Sequence, residues 1–332
     1  MLGNYIVPFV LFISSAYTSC LHGTSRLPRR MNNNGSVEVS TFGYTNLQGP
    51  LNWAGLSTEN DACATGTIQS PINLDGSIPT AAVAPQIAIP CVDSAEFENI
   101  GSTVETIVNG TLNFEKTKYS LKQFHFHTPS EHRINEEYFP LEMHMVHVGT
   151  NGSGIVVLAV LFQLSPNSTT TEILKNVTQN IENIVIPGRV TETGPLNFTS
   201  LITYLHTTTL FQYTGSLTTP PCAEAVTFLV TKDPLPLDVQ TFNSIKSVVK
   251  FNSRYTQNEL GLPNLLTFAA KNNARIAAAD EWVRLANGTG NNANATLEGK
   301  VATTTSPTMT FVTEIAIGTE VVPTSVIAQI GP

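Results

Sequence analysis

Between residues 100 and 233 the chain runs through short segments in which apolar and polar residues alternate. That is the period-two signature of strands with two distinct faces. The segments are TVETIVNGTLNF, YSLKQFHFHT, LEMHMVHVG, GIVVLAVLFQL and AVTFLVTKD, separated by clusters such as NGSG at 151 and SPNS at 165. Asn109-Gly110, between two alternating runs, predicts a hairpin. Helix-like apolar spacing is confined to 171–184 and 238–251. No fixed-period repeat is visible. The pattern predicts a mixed α/β, mainly β domain: a large central sheet with short helices at its margin.

Composition narrows the picture. The 332 residues are 41% hydrophobic and 13% charged, with a formal net charge of −8. The hydrophobic share supports a sizeable core. The acidic balance argues against a nucleic-acid partner, which needs a basic face. The start, MLGNYIVPFVLFISSAYTSC, reads as a secretory signal over about residues 1–20, although no Lys or Arg precedes its apolar run. That run is too short for a stable membrane span. Eight N-x-S/T sequons, at Asn34, Asn109, Asn151, Asn167, Asn176, Asn197, Asn287 and Asn294, accord with secretion, extracellular or cell-wall associated. Past residue 286 the sequence turns rich in Asn, Gly, Thr and Ser. The expected organisation is therefore a signal over 1–20, a domain over 36–285 and a flexible tail over 286–332, without the continuous apolar stretch that a lipid-anchor signal needs. If Cys20 leaves with the signal, Cys63, Cys91 and Cys222 allow one disulfide and one free thiol, and their spacing does not choose the pair.

Five of the seven histidines fall in QFHFHTPSEH (123–132) and EMHMVH (142–147). On a strand, Gln123, His125 and His127 share one face while Phe124 and Phe126 share the other, with the two imidazoles about 7 Å apart. In the second run Glu142 and His144 share a face, opposite Met143, Met145 and His147. An H-x-H alone also suits an ordinary half-exposed strand. A neighbouring strand carrying E-x-H would complete a three-histidine zinc site with its fourth position open, Gln123 and Glu142 orienting the rings. His132 and His147 do not fit the shared face and read as structural.

Taken in order, FGYTNLQGPLNW (42–53), IQSPINL (68–74), QFHFH with SEH at 130–132, EMHMVH, GSLTTPPC (215–222) and FNSR (251–254) resemble the α-class carbonic anhydrases, in particular their secreted branch. The resemblance implies a twisted, mostly antiparallel sheet of about ten strands and a conical cavity ending at Zn2+. It implies reversible hydration of CO2 to bicarbonate and a proton by zinc-bound hydroxide, with ester hydrolysis as a side activity. It makes His125, His127 and His144 the metal ligands. Gln123, Glu142 and the Asn252 carbonyl become the partners behind them. Thr218 and Glu131 orient the hydroxide. Val146, Val157, Thr219, Phe228 and Tyr44 line the substrate pocket, with Phe228 where the family carries tryptophan. The resemblance also implies a Cys63–Cys222 disulfide and leaves Cys91 unpaired. One departure matters: Ser102 stands where fast relatives carry a proton-shuttle histidine, and serine does not titrate near neutral pH. Glu105, nearby, is a further acid on that segment. The same scaffold also serves in binding or storage proteins, from which zinc content and CO2 hydration would distinguish an enzyme. Oligomeric state is not legible.

Overall fold

The computed structural model describes residues 36–288. In chain order its strands are β1 (Asn73–Leu74), β2 (Gln86–Ala88), β3 (Glu96–Asn99), β4 (Val104–Ile107), β5 (Gly110–Phe114), β6 (Thr117–His127), β7 (Arg133–Ile134), β8 (Leu141–Gly149), β9 (Ile155–Leu164), β10 (Val190–Glu192), β11 (Leu210–Ser216), β12 (Glu224–Thr231) and β13 (Leu235–Leu237). The helices are α1 (Trp53–Leu56), α2 (Ala62–Thr65), α3 (Glu172–Val177), α4 (Thr199–Thr207), α5 (Val239–Val249) and α6 (Leu265–Gly288). Eleven strands form one sheet with a spine β10-β3-β4-β6-β8-β9-β12-β11, while β1 and β7 pair separately. Within the large sheet only the β12–β9 and β13–β9 pairs are parallel. The expected architecture is thus the one found, one strand larger.

Alternation along the central strands serves two cores. Phe124, Phe126, Met143, Met145, Leu158 and Val160 join one core, which α3, α4 and α5 cover with Leu174, Leu205 and Ile245. Val146, Val157, Ala159, Phe211, Tyr213 and Phe228 form the other. The period-two rule is broken in β6. Its register on β8 shifts between Leu121 and Gln123, so Lys122 is a bulge residue. The extra residue lets Leu121 and Phe124 both enter the first core. It also starts the Gln123, His125, His127 series on the opposite face.

Of three local expectations two change and one holds. Asn109-Gly110 does not close a hairpin. β4 and β5 pair with successive parts of the same strand, β6, not with each other. The tight turn is Glu115-Lys116, joining β5 to β6, with φ of 47° and 67°, the left-handed pair of a type I′ turn. The segment 171–184 splits into α3 and a 3-10 stretch that bends at Asn180 (φ −117°), whose side-chain amide donates to the Glu192 carbonyl. The 238–251 pattern becomes α5, capped by Asp238 accepting from Thr241 N. Helices α4 and α6 lay outside the periodicity reading, and α6 carries the chain to Gly288, three residues into the segment expected as tail. The compact unit extends to Arg275. The signal and the rest of the tail lie outside the described residues.

Cys63 and Cys222 form the disulfide, closing a loop with a sequence separation of 159, and Cys91 is a free, exposed thiol. Replacing both half-cystines with serine should lower the unfolding free energy by about 3–5 kcal/mol, the range for a loop this long, measured by urea unfolding under oxidising conditions. A change below 1 kcal/mol would contradict this.

Candidate active site

The bulge and the β6–β8 pairing assemble the centre. The antiparallel register sets His125 opposite His144 and His127 opposite Glu142. The imidazole centroids of His125, His127 and His144 lie 5.0, 5.3 and 4.6 Å apart, and one ring nitrogen from each falls within 4.8 Å of the others. All three rings are buried.

Each ring is held from behind. His125 Nδ1 meets Gln123 Oε1 at 2.9 Å, His127 Nδ1 the Asn252 carbonyl at 2.9 Å, and His144 Nε2 Glu142 Oε1 at 2.6 Å. These acceptors fix the tautomers. The nitrogens left for a metal are Nε2 of His125 and His127 and Nδ1 of His144. The two Nε2 atoms are buried and have no hydrogen-bond partner, a costly arrangement unless an ion or water takes them up. Three neutral imidazole donors at this spacing fit a zinc ion. His132, Glu142 and His144 also bring ligand-type atoms together. There, however, His132 is engaged at both nitrogens, by Glu142 Oε1 and by the Tyr213 hydroxyl, each at 2.6 Å, so that trio is already satisfied.

Glu142 anchors the arrangement. Oε1 accepts from His132 and His144, and Oε2 from the backbone N–H groups of Glu131 and His132 at 2.7 and 2.9 Å. Burial pushes its carboxyl up, but the opposing pull of His132 and His144 and their hydrogen bonds holds it well below the usual carboxylate range. Glu131 lies 3.5 Å from His127 Nε2, accepts from Arg254 N at 2.9 Å and is hydrogen-bonded by Thr218. Burial lifts it to about 7 against those contacts.

The remaining predicted residues separate by place. Val146, Val157 and Phe228 are aligned across β8, β9 and β12, and Phe228 lies 5.8 Å from the His144 ring. Thr218 and Thr219 are buried in the β11–β12 connection. Tyr44 packs edge-on against Trp53 at 5.6 Å. Ser102 is buried. Its hydroxyl meets Ser40 Oγ at 2.7 Å and its carbonyl accepts from Asn252 Nδ2 at 3.1 Å. Glu105 is buried directly opposite His125 on β4. His147 turns away, donating Nδ1–H to the Met145 carbonyl. The sequence reading set His132 apart from the site and did not reach Tyr213 or Arg254, whose partners lie far away along the chain. The E-x-H pattern shows the partner of His144 but not a second ring on the same carboxylate.

Burial holds His125 well below its ordinary value, lowers His144, and takes His127 and His147 down to about 4. These rings are neutral in the fold and take up protons on unfolding. Stability is therefore present above pH 6.5 and lost as pH falls toward 4, by about 3 kcal/mol each for His127 and His147. Glu131, shifted upward by a comparable amount, works oppositely and offsets about one histidine. Chelator-treated protein should show urea midpoints falling steadily from pH 7 to 5, and constant midpoints would contradict this.

The eukaryotic-type carbonic anhydrase family model matches residues 48–276. A carbonic anhydrase of Neisseria gonorrhoeae is 34% identical over 195 residues, 58% of this chain and 73% of that protein. Dioscorin DB3L of Dioscorea polystachya is 32% identical over 238 residues, 68% and 80% of the two chains. The solved alpha carbonic anhydrase of Aspergillus oryzae superposes with a TM-score of 0.67 at 44% identity, covering 70% of this chain and 99% of that one.

Proposed function

The chain belongs to the eukaryotic-type (alpha) carbonic anhydrase family, and we propose that it is a zinc-dependent carbonic anhydrase interconverting CO2 and bicarbonate. The observation that carries this reading is the trio His125, His127 and His144, each oriented from behind, with two buried Nε2 atoms facing inward unpartnered. Zinc held there supplies a Lewis acid that brings the pKa of a water to about 7 in carbonic anhydrases, a figure of the family rather than of this structure.

The chain's own residues then aim the reaction. The Thr218 hydroxyl donates its hydrogen bond to Glu131, so toward the cavity its oxygen accepts. A nucleophilic oxygen beside it must present its proton to Thr218 and a lone pair to CO2, which is catalysis by orientation. Val146, Val157 and Phe228, with no polar side-chain atom among them, form a wall suited to apolar CO2. By family resemblance Thr219 would add a hydroxyl to that pocket and Tyr44 a phenol; Thr219 is buried in the β11–β12 connection and Tyr44 packs on Trp53. The same centre would hydrolyse activated esters as a side reaction. Thr218→Ala should retain one zinc per chain and lose about 100-fold in turnover, read by stopped-flow CO2 hydration with metal analysis. Full turnover in that variant would refute the orienting role. Stoichiometric zinc with no hydration in the wild type would favour a binding protein.

Proton release follows from Ser102. Neither it nor its partner Ser40 titrates near neutral pH, so the product proton passes to buffer. Turnover at low buffer should rise several-fold with added imidazole and then saturate. Turnover independent of imidazole would overturn this.

We also propose that the protein is secreted and carries N-glycans. Asn109, Asn167 and Asn197 are exposed, as modification requires, and Asn176 is half-buried, whereas Asn34 and Asn294 lie outside the described residues. No helix among the described residues is long and apolar enough to cross a membrane. A mass decrease on glycosidase treatment of protein from the culture medium tests both statements.

A further inference from the structure

Two branches stand behind the proposed zinc site. One runs from His144 through Glu142 and His132 to Tyr213, and the other from Thr218 through Glu131 to Arg254. They meet at a residue assigned no role above, Ser70. Its hydroxyl lies 2.8 Å from the Tyr213 hydroxyl and accepts from Ser216 N at 3.0 Å. Its own N–H donates to Ser216 Oγ at 2.9 Å, and its carbonyl accepts from Arg254 Nη1 at 2.7 Å. Arg254 N in turn donates to Glu131, and Ser216 precedes Thr218 by two residues. Ser70, Ser216 and His132 are fully buried, and Tyr213 nearly so.

The bonds have a direction. His132 donates from Nδ1 to Glu142, and a neutral imidazole doing so accepts at Nε2. The Tyr213 hydroxyl is therefore the donor to His132, and the Ser70 hydroxyl the donor to Tyr213. Burial keeps the phenol protonated, raising it well above its ordinary value. Gly215 leaves the room this junction needs. A Cβ there would overlap Ser70 Oγ and stand 2.6 Å from Tyr213 Cε2.

We propose that Ser70 is a positioning residue that holds two branches in one register, the His144–Glu142 branch through its hydroxyl and the Thr218–Glu131 branch through its bonds with Ser216 and Arg254, so that metal retention and aiming of the nucleophile depend on the same residue. This rests on the zinc reading above and adds a claim about residues that touch neither metal nor substrate.

The test uses the zinc-loaded full-length protein, with Ser70→Ala, Tyr213→Phe, the double variant and Gly215→Ala. Zinc release to a chelator should accelerate about tenfold in each single variant, the lower end of what loss of an outer-shell partner costs. The kcat should fall with KM little changed. The double variant should be no worse than either single, because both cut one path. A merely structural role would lower the Tm of the metal-free and zinc-loaded forms equally, whereas positioning shrinks the rise in Tm that zinc confers. If Ser70→Ala does not fold, Tyr213→Phe cuts the same path without emptying the junction. Wild-type release rates in the folded variants, or effects that multiply in the double variant, would overturn the inference while leaving the zinc reading intact. Wild-type protein that takes up no zinc would overturn both.

Discussion

The site depends on one pairing, β6 on β8 in a single register. A strand's side chains change face with every residue, so a slip of one would turn every inward histidine toward the phenylalanine core. The Lys122 bulge makes that register compatible with the hydrophobic pattern on both sides of it. It spends one residue so that Leu121 and Phe124 can share a core while Gln123, His125 and His127 share the opposite face. The rows of apolar side chains on the two faces then lock the choice, since each of Phe124, Phe126, Met143 and Met145 would lose its place if the strands slid.

Around that pairing, polarity is buried under strict accounting. Glu142 brings a carboxylate into the interior, and each of its oxygens receives two hydrogen bonds. A buried charge so satisfied is tolerable where a bare one is not. The same carboxylate orients a ring of the metal trio and a ring outside it, which links the centre to the β11–β12 region through Tyr213. On the opposite side Asn252 does comparable work. Its backbone carbonyl receives His127, its side-chain oxygen accepts from Thr128 N, and its amide donates to the Phe126 and Ser102 carbonyls. The rings are thus set by groups that never face the cavity.

The histidine trio and its partners Gln123 and Glu142 were legible because strand periodicity is a local rule and all of them lie on two strands. Thr218, Glu131 and the Cys63–Cys222 pair were reached only through family resemblance, since no local rule relates SLTTPP to SEH. His132 was set aside because its face does not match the trio, and its link to Tyr213 spans 81 residues. Ser70 and Arg254 act across separations of 143 and 123 residues, which no periodicity reveals. The Asn109-Gly110 expectation failed for a tertiary reason: β6 is long enough to accept two successive strands along one edge, so the chain continues along it rather than turning back. Helix α4, rich in threonine, has little intrinsic propensity to announce it.

The separations carry a further consequence. His125, His127, Glu142 and His144 all lie on two adjacent strands, so the metal-binding half of the site closes a short length of chain. The aiming half waits on Thr218 and Arg254, far downstream. Loop-closure entropy grows with the logarithm of the length enclosed, so the two halves differ in the chain entropy they consume. The ligands themselves are assembled from nearest neighbours, although the carbonyl behind His127, that of Asn252, comes from 125 residues along the chain. The groups that aim the reaction, and those that brace the rings from Asn252 and Tyr213, are borrowed from the rest of the molecule, and they are the parts most exposed to anything that loosens the fold at a distance.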